Sequence, residues 1–128
     1  MPRPSNRLLL GVGVALLLVA VFSPLASWGE HRSFAAHMAQ HLLLGDLAPL
    51  AFAVAFAGVG TLHPLLALAA WAANLIAWHV PVVYEAALHH EWVHVLQHLA
   101  LFAAGGVLWG AVLSRAEACR RDSRRSRE

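Results

Sequence analysis

FAAHMAQHLLLGDLAPLAFAVAFA, residues 34–57, is the stretch that decides the fold of this chain. Asp46 is its only residue with a formal charge. About 20 consecutive apolar residues are enough to cross the hydrocarbon core of a membrane as a helix. The stretch therefore predicts a transmembrane helix, and Pro49 inside it predicts a kink.

Three other stretches, residues 8–28, 62–80 and 92–113, have the same apolar character. The whole chain of 128 residues is 59% hydrophobic and 12% charged, whereas a soluble protein is about a quarter charged. The sequence predicts an all-α integral membrane protein, with about four transmembrane helices in a single domain of residues 1–114. Thr61 and Pro64 are the expected cap and first turn of the third span. A short interfacial helix is expected to begin near Pro81.

The arginines predict the orientation of the chain in the membrane. Eight of the nine lie in the two tails, and the exception is Arg32. Because cytoplasmic flanks are rich in arginine, both termini are expected in the cytoplasm. Residues 115–128 are expected to form a basic, disordered cytoplasmic tail. Basic residues that flank a membrane span indicate anchoring beside lipid, and we expect no nucleic-acid partner.

The first span has a second interpretation. Arg3 and Arg7, followed by an apolar core, resemble a signal peptide within residues 1–28. Cleavage would leave three spans, with the basic tail still inside and the same loops still outside.

Eight of the nine histidines fall on the predicted outer side, and four of them form two pairs with i, i+4 spacing. His37 and His41 lie at the start of the second span, and His94 and His98 at the start of the fourth. Residues four apart share one face of a helix. If the two helices face each other, these four imidazoles converge near the outer boundary, and His79 and His89 join them from the connecting segment.

Imidazole clusters favour copper or zinc, with iron and nickel as further possibilities. The sole cysteine, Cys119, lies in the basic tail, so no thiolate is expected at the site. Interhelical hydrogen bonding, proton transfer and bis-histidine haem ligation remain alternatives. His31, His63 and His90 are interpreted as ordinary interfacial histidines. Tyr84, Trp28, Trp78 and Trp92 are expected to form an outer aromatic belt.

Two other polar residues lie within spans. Asp46 is expected on the face opposite His37, where it either meets another helix or bonds to backbone freed by Pro49. Asn74 is expected to join helices. Gly106 and Gly110 form a GxxxG sequence, which predicts close helix contact and a homo-oligomer.

Several of these residues occur in stretches that resemble a known family. FAAHMAQHLLL at residues 34–44, followed by Ala48-Pro49-Leu50, is one such stretch. WHVPVVYEAALH at residues 78–89 is the other, with HVLQH at residues 94–98 after it. Phe102 and Trp109 complete the pattern. The two stretches resemble the membrane-embedded CtaG family of cytochrome c oxidase assembly factors.

The resemblance implies a multi-pass protein of the bacterial plasma membrane that is not an enzyme. It implies a role in assembling a haem–copper cytochrome c oxidase through copper delivery, with an oxidase subunit as partner. The histidines at matching positions, which the resemblance suggests as copper ligands, are His37, His41, His79, His94 and His98. Gln97 stands where the resemblance predicts an acidic residue, and typical members of the family are longer.

Overall fold

A computed structural model describes residues 4–24, 32–56 and 60–127 of the chain. All secondary structure in these ranges is helical, which confirms the predicted fold class. In chain order the elements are α1 (Pro4–Phe22), α2 (Phe34–Leu42), a π-helical segment (Leu43–Leu47), α3 (Ala48–Phe56), α4 (Pro64–His79), α5 (Pro81–His89) and α6 (Glu91–Arg125).

Among the described residues, three continuous stretches are long and apolar enough to cross a membrane. They are α1, the combined α2–α3 segment, and α6. The pair α4 and α5 gives a fourth candidate, with a bend of 69° between its two parts. The chain is therefore a helical membrane protein with three or four spans. Residues 25–28 of the first expected span, and residue 57 of the second, lie outside the described residues.

The second span is distorted before its proline rather than at it. The Ala48 N–H bonds to the carbonyl of Leu43, five residues back, so residues 43–47 form a π-helical turn. Pro49 has no N–H to donate to the preceding turn. The carbonyl of Gly45, four residues before Pro49, instead accepts a hydrogen bond from the Trp71 indole nitrogen at 3.4 Å. The predicted kink site thus appears as a change in helical winding, fixed by a side chain from α4.

Two helix starts test the local sequence rules. α5 begins at Pro81, as expected. α4 begins at Pro64, also as expected, but its cap is His63 and not Thr61. The His63 Nδ1 accepts from the Leu65 N–H at 3.3 Å. The prediction of Thr61 was wrong because a helix whose first residue is Pro64 takes its cap from the residue directly before it.

The last helix is longer than its apolar part. α6 continues through Arg125, whereas residues 115–128 were expected to be disordered. A helix that is already nucleated adds residues at little cost, and alanine, arginine and glutamate are good helix formers. Arg121 and Glu117, one turn apart, also approach to 3.8 Å. At 1.5 Å per residue the 35-residue helix is about 50 Å long, well beyond the roughly 30 Å of a hydrocarbon core.

α6 is the central helix of the fold. It packs against the π-helical segment and α3, and also against α4 and α5. α1 packs on α3, where the Asn6 side chain donates to the carbonyl of Ala55 at 2.9 Å. Packing therefore follows the order α1, α3, α6, α4, which differs from the order of these helices along the chain.

Glycines allow α6 to approach its neighbours closely. A Cβ atom on Gly105 would collide with the carbonyl of Gly45, and one on Gly60 would collide with the backbone of Gly110. The Gly60 N–H also donates to the Ser114 hydroxyl at 2.9 Å. Of the two glycines in the GxxxG sequence, Gly110 therefore packs within the chain, against Gly60. A Cβ on Gly106 would meet no atom within 4 Å. A homo-oligomer through Gly106 and Gly110 stays a prediction.

Candidate metal-binding site

The two histidine pairs meet at one end of the helices, together with His79 from the end of α4. The ring centroids of His37 and His41 lie 4.1 Å apart, and those of His94 and His98 lie 4.2 Å apart. Between helices, the His41 ring lies 6.2 Å from that of His98 and 5.6 Å from that of His79. The structure therefore brings together all five histidines that the resemblance suggested, with His41 at the centre.

Two rings of the cluster are deeply buried, and the other three are half-buried. His37 is 1% exposed and His41 is 4% exposed. The buried Nε2 atoms of His41, His79 and His98 have no hydrogen-bond partner among the described residues. A buried polar atom normally finds a partner, because leaving one unpaired costs about 1–3 kcal/mol. Several unpaired imidazole nitrogens in one place indicate a site that binds something.

His79 is held in one tautomer. Its Nδ1 lies 2.7 Å from the carbonyl of Leu75. A carbonyl only accepts, so Nδ1 carries the proton and donates it. In the neutral ring the Nε2 atom then has the free lone pair that a metal ligand requires. A backbone carbonyl that fixes the ring of a ligating histidine in this way is common in metal sites.

The five histidines form two layers along the helix axes. α2 and α6 run in the same direction, since His41 pairs with His98 and, further along, Gly45 lies beside Leu101. His37 and His94 each precede their partner by four residues, which is about one turn or 6 Å of helix. The outer layer is His37 and His94, and the inner layer is His41, His98 and His79.

Tyr84 lies beside the cluster. Its ring lies edge-on to that of His37, with centroids 5.4 Å apart. The bend between α4 and α5 brings it there, because Val80 is held in an extended conformation before Pro81. Of the other expected belt residues, Trp92 is exposed, Trp78 bonds to Asn74, and Trp28 lies outside the described residues.

Two glutamines lie buried in this region; the resemblance drew attention to Gln97, but the burial of Gln97 and Gln40 was not predicted. Gln40 is 1% exposed and Gln97 is 0% exposed. The Gln40 amide donates to the carbonyl of Ala20 at 3.0 Å, but neither polar atom of the Gln97 side chain has a hydrogen-bond partner. A repeated motif could have indicated that both glutamines belong with the histidines, since HMAQH at residues 37–41 and HVLQH at residues 94–98 share the pattern His-x-x-Gln-His.

The remaining histidines lie elsewhere. His89 and Glu85 are both exposed on α5, and the His89 ring makes none of the contacts that join the five clustered rings in the described part of the chain. His90 is exposed beside Trp92, with ring centroids 6.5 Å apart. His63 caps α4, and His31 lies outside the described residues.

The two other polar residues within spans both join helices. Asp46 accepts a hydrogen bond from the Trp109 indole nitrogen on α6 at 2.7 Å. Asn74 accepts from Trp78 at 3.1 Å and donates to the carbonyl of Ala100 on α6 at 3.4 Å. The expectation that Asn74 connects helices is confirmed. For Asp46, the alternative in which it meets another helix is the correct one.

The donor set of the cluster is neutral imidazole, which suits copper and zinc. Within residues 4–24, 32–56 and 60–127, no group of three or more His, Cys, Asp or Glu side chains is already arranged to hold an ion. Binding would therefore need rotation of the imidazole rings about their side-chain bonds. The cluster provides the donors and the burial, and the ion would have to complete the arrangement.

These features define a helical membrane protein with a buried imidazole cluster at one end of its transmembrane helices. The sequence model of the cytochrome c oxidase caa3 assembly factor family (Caa3_CtaG) matches residues 2–60 and 56–127, which together cover almost the whole chain. The chain belongs to this family, as the resemblance implied. Searches of curated proteins and of solved structures gave no match.

Proposed function

We propose that this protein binds copper in the histidine cluster and supplies it to a haem–copper cytochrome c oxidase during assembly. Membership of the family gives the assembly role. The observation that supports copper is the burial of His41, His79 and His98 side by side with unpaired Nε2 atoms. Neutral imidazole nitrogens bind copper and zinc well, so the proposed role is binding and transfer of the ion rather than catalysis.

The outer face of the plasma membrane is the proposed side for this transfer. The long basic end of α6 is on the opposite end of that helix from His94 and His98. If the basic end is cytoplasmic, the cluster opens towards the outside. An oxidase subunit in the same membrane is the proposed recipient.

The histidine proposal predicts a difference between clustered and unclustered residues. His41→Ala and His98→Ala each remove one of the two rings that face each other across α2 and α6. We expect each to lower the copper content of the purified protein several-fold and to reduce the amount of assembled oxidase, measured from the haem absorption of membranes.

His63→Ala is the matched control, because His63 is exposed and caps the start of α4, whereas His79 of the cluster lies at the end of that helix. It should leave both copper content and oxidase level unchanged. Equal losses in all three variants would mean general destabilisation and would contradict the proposal. Protein levels, measured by immunoblot of the membranes, separate the two explanations.

A haem bound between His41 and His98 is the main alternative, and the packing argues against it. One to two turns after these residues, the backbone of the π-helical segment lies against that of α6 at Gly45 and Gly105. This close approach leaves no slot for a flat macrocycle between the two helices. A Soret band in the purified protein would revive the haem alternative. Full oxidase assembly by a copper-free protein would favour a scaffold or proton-relay role.

A further inference from the structure

Gln97 is the most unusual side chain in the interface between α2 and α6. It is completely buried, yet its carbonyl oxygen and its amide nitrogen both lack a hydrogen-bond partner. Gly45 lies beside Leu101, and the residues four earlier on the two parallel helices are His41 and Gln97. Gln97 therefore lies level with His41, in the inner layer of the cluster. An amide buried in this way is costly unless a bound group completes its hydrogen bonds.

The cluster contains no acidic side chain among the described residues. It consists of five imidazoles, the Tyr84 phenol and the two carboxamides. The acids nearest in sequence are Glu85 and Glu91, which are exposed, and Asp46, which is bonded to Trp109 further along α6. No carboxylate of the described residues is thus available inside the cluster to balance the charge of a bound ion.

The separations between rings on different helices can be compared with those of imidazoles that bind one ion together. With a metal–nitrogen distance of about 2.0 Å, two imidazole centroids that share an ion lie about 5 Å apart at a tetrahedral angle and about 6 Å apart at much wider angles. The observed separations from His41 are 5.6 Å to His79 and 6.2 Å to His98. Once the rings have rotated, these separations would allow two or three imidazoles to share one ion, a number of ligands that suits copper(I), whereas a structural zinc site has four ligands.

We propose that the neutral carboxamide of Gln97 makes this site selective for a monovalent ion, copper(I), over divalent ions such as zinc. The inference rests on the proposed function, because it specifies the ion that the histidine cluster accepts. A dication surrounded only by neutral ligands keeps both of its charges in a region of low dielectric constant. A monocation leaves half of that charge uncompensated, so burial penalises it far less.

The experiment compares two affinities of the full chain in lipid nanodiscs. Copper(I) affinity is measured without oxygen by competition with a chromophoric copper(I) chelator, and zinc affinity by competition with a fluorescent zinc chelator. The wild-type protein should bind copper(I) more tightly than zinc. Gln97→Glu places a carboxylate beside the inner layer and should shift the ratio of the two affinities towards zinc by about 10-fold to 100-fold, the usual range for a residue that supports metal ligands.

Gln97→Met is the control for size, since it removes the amide without adding charge. It should shift the ratio much less than Gln97→Glu. Size-exclusion chromatography and circular dichroism test whether each variant remains folded. If Gln97→Glu fails to fold, the wild-type preference still tests the proposal.

Each remaining outcome has a definite meaning. Wild-type protein that binds zinc as tightly as copper(I), or a ratio that Gln97→Glu leaves unchanged, would overturn the selectivity proposal and leave copper binding intact. Wild-type protein that binds neither ion would overturn the proposed function as well.

Discussion

Asp46 and Trp109 show how a single polar contact is accommodated inside the membrane. The Trp109 indole donates to the Asp46 carboxyl at 2.7 Å, across the interface between the π-helical segment and α6. The two residues are 63 positions apart in the chain. An ionisable side chain such as that of Asp46 costs at least about 2.5 kcal/mol at the centre of a span on insertion scales, so a hydrogen-bond partner offsets part of this cost.

Trp109→Phe keeps the aromatic volume and removes only the N–H donor. We expect it to lower the free energy of unfolding by about 1–2 kcal/mol, the range for a hydrogen bond between membrane helices. The measurement is a detergent denaturation curve, with Asp46→Leu and the double variant completing a mutant cycle. Trp92→Phe, at an exposed position, serves as the control. Strictly additive effects of Trp109→Phe and Asp46→Leu would contradict a direct bond.

At the scale of residues, the spacing of residues along a helix predicted which side chains share a face, but it did not identify their partners on other helices. The i, i+4 pairs placed His37 with His41 and His94 with His98 because helical periodicity alone determines which residues share a face. The same periodicity placed Asp46 away from His37. It could not name Trp109 as the partner of Asp46, or Tyr84 as the neighbour of His37, because both contacts depend on how separate helices dock.

At the scale of elements, the contact between the π-helical segment and α6 determines the shape of the site. Gly105 on α6 lies against the carbonyl of Gly45. This contact lies one to two turns from the ring pair His41 and His98. Any separation of the two backbones would therefore also move the inner layer of the cluster.

Two adjacent glycines give a matched test of that contact. Gly105→Ala would place a methyl group against the Gly45 carbonyl, whereas Gly106→Ala would place one in open space. Both substitutions gain the same helix propensity, about 1 kcal/mol in water. We expect Gly105→Ala to lower both stability and copper stoichiometry, and Gly106→Ala to lower neither. The readouts are detergent denaturation and metal analysis, and equal behaviour of the two variants would refute the contact.

Hydropathy predicted the elements well because a membrane span must be long and apolar. It predicted the bounds of α6 poorly, since polarity ends a span but does not end a helix that has already formed. The π-helical turn was also beyond prediction. Pro49 indicated a disturbance in the second span, but the bond from the Trp71 indole to the carbonyl of Gly45 comes from another helix and could not be foreseen.

At the scale of the whole molecule, the distribution of arginine predicts the orientation of the chain in the membrane. Six arginines follow the last apolar stretch and two precede the first. A reporter enzyme that is active only in the cytoplasm, fused after the basic end of α6, should therefore be active. A periplasmic reporter at the same position should be silent. The reverse result would place the histidine cluster on the cytoplasmic side and remove the basis for transfer at the outer face.

The central position of α6 has a consequence for biosynthesis. His37, His41 and His79 leave the ribosome before His94 and His98, yet α6 must settle against both α3 and α4 to bring the five rings together. Before that step only His37 and His41, which share one helix, are certain to lie together. The complete group of five rings therefore forms only after α6 has been synthesised and has packed against its neighbours.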